Sequence, residues 1–331
     1  MAGRRQKKSG GRSYAWRYRG RIVACVFVEV IIICALVIMI GWNKGVKEWF
    51  EQFEQPVLKE VDISGINSPN AILMQARGGK ILGEINGDEQ IYPASMTKIM
   101  TVIRGIENFD DLDEKITLTN EMFTGLYEQD ATQAGFQPGE EVRVIDLLYG
   151  AMLPSGAECC IALADTISGS EADFAELMNK KARKLGMENT HFCDSTGLHN
   201  PNHYSTVKDI AVLMKYCIKN DTFREIVETS RHSTGVTNIH PDGITYYSTM
   251  FKNLSDPTVT GGKILGGKTG YTSEAGHCLV SFAEIEGREY IFVSAGASGA
   301  DGNTIPHIQD AVTVYNRVGA AIEAKMNDNN K

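Results

Sequence analysis

The hydrophobic pattern divides the chain into one long apolar run and a longer region of short segments. The run covers residues 22–42, IVACVFVEVIIICALVIMIGW, and contains a single carboxyl group, Glu29. A helix of that length spans roughly 31 Å, close to the hydrocarbon thickness of a bilayer. Because no small-residue cleavage pattern follows the run, we expect an uncleaved membrane anchor rather than a removed signal peptide.

The rest of the pattern predicts mixed α and β structure. Segments expected to be extended are 70–75, 80–85, 243–251, 261–268, 277–285 and 288–295. Segments with helical periodicity are 97–106, 144–149, 157–167, 172–185 and 308–325. Strand pairs at both ends therefore flank a helical middle. We predict an α/β (α+β) domain in which an antiparallel sheet is flanked by helices and carries a helical subdomain.

Composition and charge narrow the class of protein. The 331 residues are 43% hydrophobic and 22% charged, which excludes wholesale disorder, collagen and coiled coil. Residues 1–21 hold eight basic and no acidic residues, which leaves 25 basic against 41 acidic residues in the remainder. A basic N-terminal segment followed by an acidic remainder argues against a nucleic-acid partner. By the positive-inside rule, we expect residues 1–21 in the cytoplasm and the region after the apolar run outside it.

These patterns give the expected organisation. We predict a basic cytoplasmic leader, a single transmembrane anchor, a juxtamembrane linker, one α/β domain and a tail, at 1–21, 22–42, 43–61, 62–325 and 326–331. The expected location is the cell membrane, with the domain outside the cytoplasm. Five of the seven cysteines follow the anchor, and this odd number gives no readable disulfide framework.

Candidate chemistry begins with an S-x-x-K motif at Ser95. The i, i+3 spacing at the start of a helix lets the Lys98 amine reach the Ser95 hydroxyl. A serine is a poor nucleophile until a neighbouring base takes its proton, and a lysine is such a base only when neutral. The pattern recurs at Ser205. There Thr206 and Asp209 are typical of a helix N-cap, so we interpret Ser205 as a chance copy.

A second motif is the triplet Lys268-Thr269-Gly270, which lies in a glycine-rich extended segment. Such a segment lets a substrate backbone lie alongside as an added strand, while the lysine offers a cation for a carboxylate and the threonine a hydroxyl donor. Between the two motifs stands Ser155, followed by Gly156. This serine is placed either to cap the helix predicted from residue 157 or to relay protons.

The order, spacing and flanks of these motifs resemble the serine D-alanyl-D-alanine carboxypeptidases, the low-molecular-mass penicillin-binding proteins. The resemblance covers about residues 62–320 and includes the S-x-x-K and K-T-G motifs. The matching segments are YPASMTK at 92–98, SG at 155–156, TGLH at 196–199 with NHYST at 202–206, and GKTGYT at 267–272 with AG at 275–276. The resemblance implies the fold shared by DD-peptidases and β-lactamases.

The resemblance also implies roles for individual residues. Ser95 would be the acylated nucleophile, Lys98 its base, and Ser155 the group that passes a proton to the leaving D-alanine. The backbone N–H groups of Ser95 and Tyr271 would form the oxyanion hole. The implied substrate-binding residues are Lys268, Thr269, Gly270, Tyr271 and His307, the last as the nearest match to an arginine that reads the substrate carboxylate. The implied substrate is a peptidoglycan stem peptide ending in D-Ala-D-Ala, with β-lactams as inhibitors and no cofactor or metal.

Alternatives follow from departures from the family pattern. Ala157 stands where the family normally has the asparagine of a Ser-x-Asn motif, so Lys98 loses one anchor. A pseudoenzyme or β-lactam-binding sensor therefore stays open, as does a serine β-lactamase. A zinc carboxypeptidase using His191, His199 and His203 is a further alternative. The Asn-Pro between the last two histidines and the lack of H-E-x-x-H argue against it.

Overall fold

The computed structural model describes residues 58–254, 256–299 and 305–329. The predicted basic leader, the predicted anchor and nearly all of the predicted linker lie outside these residues. Within the described ranges, no helix combines the length and the hydrophobicity that a bilayer-spanning helix needs.

The described residues form ten strands and eight α-helices. The strands are β1 (Asn70–Gln75), β2 (Ile81–Ile85), β3 (Lys115–Thr117), β4 (Glu141–Arg143), β5 (Arg231–Ser233), β6 (Thr245–Tyr247), β7 (Thr258–Val259), β8 (Gly262–Thr272), β9 (Gly276–Ile285) and β10 (Arg288–Ala297). The helices are α1 (Lys98–Asn108), α2 (Val144–Met152), α3 (Ala157–Ser168), α4 (Glu171–Leu185), α5 (Val207–Cys217), α6 (Asp221–Glu228), α7 (Thr249–Asn253) and α8 (Pro306–Asn329).

The main sheet has six antiparallel strands in the order β2-β1-β10-β9-β8-β7. Strand β1 pairs with β10 from Asn70 opposite Ala295 onward, so the first and last strands of the sequence lie side by side. Helices α1 to α6 fall between β2 and β6 in the chain. The predicted α/β fold with an antiparallel sheet and an inserted helical region is confirmed.

The core has two layers because alternate residues of the central strands point to opposite faces of the sheet. On one face, Ile291 and Val293 of β10 pack with the helical insertion. On the other face, Phe292 packs with Tyr315 and Val318 of α8. The sheet is therefore buried on both sides between the helical insertion and the last helix.

Several local predictions are confirmed. Gly78 and Gly79 both have positive φ in the turn between β1 and β2, as a tight reversal requires. Helix α4 ends at Gly186 in the left-handed conformation. At the start of α5 the Thr206 hydroxyl accepts a bond from the Asp209 N–H at 3.0 Å, which is the N-cap predicted beside Ser205.

Other local predictions were incomplete. Residues 243–251 were expected to be extended, but β6 ends at Tyr247 and Ser248 caps α7 by accepting a bond from the Phe251 N–H. The last helix was predicted at 308–325 and runs further, from Pro306 to Asn329, which includes most of the predicted tail. Strands β3 and β4, of three residues each, and helix α6, of eight, were not predicted.

Candidate active site

Ser95 lies on a tight turn that leads directly into α1. The turn is a 3-10 helix at Ala94–Thr97, and Ala94 has a φ of 46°, which is unfavourable for a residue with a side chain. Gly197 faces this turn so closely that a Cβ at that position would stand 1.9 Å from the Ala94 carbonyl oxygen. The nucleophile candidate is therefore held on a strained turn against a glycine.

Lys98 occupies the first position of α1 and is only 4% exposed. Its Nζ donates to Ser95 Oγ at 3.0 Å and to the Thr196 carbonyl oxygen at 2.7 Å. The predicted contact between the two ends of the S-x-x-K motif is thus present. The contact with Thr196 was not predicted, because it joins residues 98 positions apart and involves a backbone atom.

Strand β8 brings the K-T-G motif to the same place. A Cβ on Gly270 would stand 3.0 Å from the Ser95 backbone nitrogen, so the strand passes directly beside the serine turn. Lys268 is 1% exposed, and its Nζ donates to the Thr269 carbonyl oxygen at 2.8 Å. Burial, and then the charge of Lys98, hold the pKa of Lys268 well below its usual range.

Ser155 stands in the loop between α2 and α3, with a φ of 74°. The expectation that it caps α3 is wrong, because Gly156 is the N-cap residue and no side chain makes a cap bond there. The Leu153 carbonyl accepts a bond from the Thr249 N–H at 3.0 Å, and the Thr249 hydroxyl bonds that of Thr269 at 2.7 Å. Two hydrogen bonds therefore tie the Ser155 loop to the K-T-G strand.

Three aromatic rings follow one another beside Tyr271, the residue after the K-T-G motif. Tyr271 is 60% exposed, its ring lies 4.7 Å from that of His277, and His277 stacks on His307 at 5.0 Å. His307 is 4% exposed. Burial, and then the charge of His277, lower the pKa of His307 to about 4. A neutral, buried His307 ring would contact a carboxylate only as a hydrogen-bond donor. The arginine to which it was matched would also carry a positive charge.

Ala157 and its neighbour give no substitute for the missing amide. Ala157 is buried at the start of α3, with its N–H donating to the Thr132 carbonyl at 2.8 Å. The Glu158 carboxylate turns the other way and accepts bonds from the N–H groups of Ala134 and Gly135 at 2.6 and 2.9 Å. Burial raises the pKa of Glu158 despite these bonds.

The three histidines of the zinc alternative have separate surroundings. His203 is buried and bonds to Thr97 Oγ1 and Asp194 Oδ2, whereas His191 Nδ1 meets the Asn202 carbonyl oxygen at 2.6 Å. His199 lies edge-on to Tyr92. Across the ranges that the structure covers, no three His, Cys, Asp or Glu residues are grouped as a metal site requires.

Taken together, these contacts place a serine hydroxyl beside a buried lysine amine and a lysine-bearing strand, an arrangement suited to acyl transfer. The family model of peptidase S11, the D-alanyl-D-alanine carboxypeptidases, matches residues 57–299. The chain belongs to this family.

Two curated relatives show the extent of the similarity. The D-alanyl-D-alanine carboxypeptidase DacF of Bacillus subtilis (strain 168) is 35% identical over 233 residues, covering 69% of this chain and 57% of DacF. DacC of Escherichia coli (strain K12), also a D-alanyl-D-alanine carboxypeptidase, is 34% identical over 263 residues, covering 72% of this chain and 58% of DacC. The chain thus spans less than two thirds of the length of either relative.

Solved structures agree with the fold. The Streptomyces K15 DD-transpeptidase superimposes with a TM-score of 0.69 at 29% identity, covering 79% of this chain and 100% of that one. A D-alanyl-D-alanine carboxypeptidase of Mycobacterium tuberculosis H37Rv gives a TM-score of 0.69 at 22% identity, covering 79% and 94%, and supports the fold alone.

Proposed function

We propose that the protein is a serine D,D-carboxypeptidase that removes the terminal D-alanine from peptidoglycan stem pentapeptides. The observation that carries the proposal is the Lys98 Nζ to Ser95 Oγ contact of 3.0 Å, with β8 and its buried Lys268 beside it. The names of the family and of its relatives support the substrate class.

The first step is acylation of Ser95. A lysine acts as a base only as the neutral amine, and the Lys98 Nζ lies 3.0 Å from the hydroxyl whose proton it takes. Lys98 takes the Ser95 hydroxyl proton while Oγ attacks the carbonyl carbon of the penultimate D-alanine. The resulting oxyanion is stabilised by the backbone N–H groups of Ser95 and Tyr271, a contribution of about 3–4 kcal/mol in other enzymes.

Collapse of the tetrahedral intermediate breaks the C–N bond. The Ser155 hydroxyl passes a proton to the departing D-alanine amine. Thr269 and Gly270 lie on β8 where the substrate backbone pairs as an added strand. Once bound, the terminal carboxylate of the substrate favours the charged form of Lys268. Water then hydrolyses the ester, which frees a stem peptide shorter by one residue and restores the Ser95 hydroxyl.

The central experiment joins mass spectrometry after benzylpenicillin to an assay of D-alanine release from a pentapeptide ending in D-Ala-D-Ala. Wild type should gain one penicilloyl group and release D-alanine, and Ser95→Ala should do neither. Ser205→Ala is the matched control, because Ser205 begins the other S-x-x-K sequence but is buried and bonds to Thr190. It should retain both activities.

Each alternative has a distinct outcome. An adduct that persists in Ser95→Ala would refute the nucleophile assignment. A stable adduct with no D-alanine release would identify a sensor or pseudoenzyme, and rapid turnover of penicillin would identify a β-lactamase. Loss of activity on treatment with a chelator would favour the zinc alternative.

We also propose that residues 22–42 anchor the protein in the cell membrane, with the N-terminus in the cytoplasm and the domain outside. The support is the length of the apolar run and the basic residues that precede it. Protease added to spheroplasts should digest the domain of the full chain. Digestion only after the membrane is permeabilised would reverse the topology.

A further inference from the structure

The loop that holds Lys98 is itself fixed by a partly buried carboxylate. Asp194 Oδ1 accepts bonds from the Thr196 N–H, the Thr196 hydroxyl and the Gly197 N–H, at 2.8, 2.7 and 2.7 Å. These three bonds orient the peptide group whose carbonyl oxygen accepts from Lys98 Nζ at 2.7 Å. Asp194 therefore determines the direction of the only backbone acceptor that this amine contacts among the described residues.

His203 joins this loop to the helix that carries the nucleophile. The ring is 2% exposed, with Nδ1 3.1 Å from Asp194 Oδ2 and Nε2 2.9 Å from Thr97 Oγ1. Thr97 is fully buried and directly precedes Lys98. The Cys193 N–H also approaches Nδ1, at 3.3 Å. The ring thus bridges the two segments between which the Lys98 amine is held.

The bridge includes an ionised carboxylate. Burial favours the neutral acid, but the hydrogen bond and charge of His203, with the bonds from Thr196 and Gly197, lower the pKa of Asp194 to about 2. An ionised carboxylate only accepts hydrogen bonds, so a hydrogen bond between the ring and Asp194 requires a proton on Nδ1. On the other side of the ring, Nε2 meets the Thr97 hydroxyl at 2.9 Å. A buried, charge-assisted chain of this kind is strong and directional.

We propose that Thr97, His203 and Asp194 form a brace that positions the Lys98 amine for proton transfer from Ser95. The brace residues touch neither substrate nor the reacting atoms, so they are positioning residues and act only through Lys98 and the Thr196 carbonyl. The inference rests on the proposed function, since it concerns the acylation step of that same site.

The chain offers a conservative pair of variants for the test. Thr97→Val removes the hydroxyl at almost constant volume, whereas Thr97→Ser keeps it. His203→Phe keeps a ring of similar size but removes both nitrogens. The matched control is His240→Gln, because His240 also pairs with a buried carboxylate, that of Glu140, at 2.8 Å outside the site.

The measurement is acylation of the full chain by benzylpenicillin, with the saturating acylation rate constant separated from the half-saturating concentration. We expect Thr97→Val and His203→Phe to lower the rate constant by about 10- to 100-fold, since displacement of a catalytic group by about 1 Å costs up to that much. The half-saturating concentration should change less than about threefold. Thr97→Ser and His240→Gln should acylate like wild type.

The outcomes separate the brace from the proposed function. If Thr97→Val is acylated as fast as wild type and His240→Gln, the brace is overturned and the carboxypeptidase proposal is left intact. A wild type that penicillin never acylates would overturn both. If the slow variants prove to be partly unfolded by circular dichroism, the rate constant of the folded fraction decides, and a wild-type value there also overturns the brace.

Discussion

Replacement of Gly197 by alanine is the most direct test of how tightly the site is packed. Gly197 has a φ of 79°, and its Cβ position lies 1.9 Å from the Ala94 carbonyl oxygen, 2.5 Å from the Ala94 carbonyl carbon and 2.8 Å from Thr97 Oγ1. Two of these three atoms belong to backbone that cannot rotate away. The added methyl group therefore has to move either the serine turn or the loop that contains Thr196.

The size of the movement sets the expected effect. Raising the closest separation from 1.9 Å to 3.0 Å requires a displacement of about 1.1 Å, and a misplacement of about 1 Å can lower a rate about 10²-fold. The positive φ costs about 1–2 kcal/mol for a residue with a side chain. Overpacking adds about 1–3 kcal/mol. We expect Gly197→Ala to lose about 2–5 kcal/mol of stability and about 10²-fold in acylation rate.

Gly169→Ala is the matched control, because Gly169 has a φ of 80° and nothing within 4 Å of its Cβ position. It carries the same backbone strain without the clash, so it should lose only about 1–2 kcal/mol. The two variants are compared by urea unfolding and by the rate of penicillin acylation at a temperature where both are folded. Gly197→Ala acylating within about threefold of Gly169→Ala would refute the packing argument.

Three further predictions concern other parts of the domain. On folding, the pKa of His307 falls from its ordinary 6.5 to about 4, so between pH 4 and pH 6.5 the unfolded state binds more protons than the folded state. The free energy of unfolding should therefore drop by about 2 kcal/mol from pH 7 to pH 5. His307→Gln should lessen that drop in unfolding titrations, and an unchanged pH dependence would contradict the prediction. Ala157→Asn should change the acylation rate or the turnover if an amide at this position acts on Lys98, and an unaltered kinetic profile would show that the site functions without it. Phe174→Ala removes a fully buried ring of the helical layer and should cost about 3–5 kcal/mol in urea unfolding, whereas a loss below 1 kcal/mol would mean that the core closes over the cavity.

Local signals explain what the sequence predicted well. The turn at Gly78 and Gly79, the end of α4 at Gly186 and the cap at Thr206 each depend on residues within a few positions of one another. The S-x-x-K contact is also local, since Ser95 and Lys98 lie on one turn. A local signal also explains one wrong prediction. Residues 248–251 were expected to be extended, but Ser248 caps α7 and the chain turns helical there despite its β-prone residues.

The rest of the site depends on distant parts of the chain. The Thr196 carbonyl reaches Lys98, and His203 reaches Thr97, only because the 194–203 loop folds back onto α1. No periodicity marks a backbone acceptor or the partner of a buried imidazole. Ser155 illustrates the converse, because a serine before a helix is a typical cap, yet its positive φ places Gly156 at the cap position.

The outer edge of β8 has a consequence for behaviour in concentrated solution. Strand β7 pairs with β8 only at Gly262 and Lys263, so in the described residues most of this eleven-residue strand has no hydrogen-bonded strand on that side. An open edge invites pairing with a second molecule, which leads to aggregation. The register shift between Ile264 and Gly266 is a feature that discourages such pairing. The strand thus resists pairing with its own copies, as the proposed pairing with a substrate peptide requires.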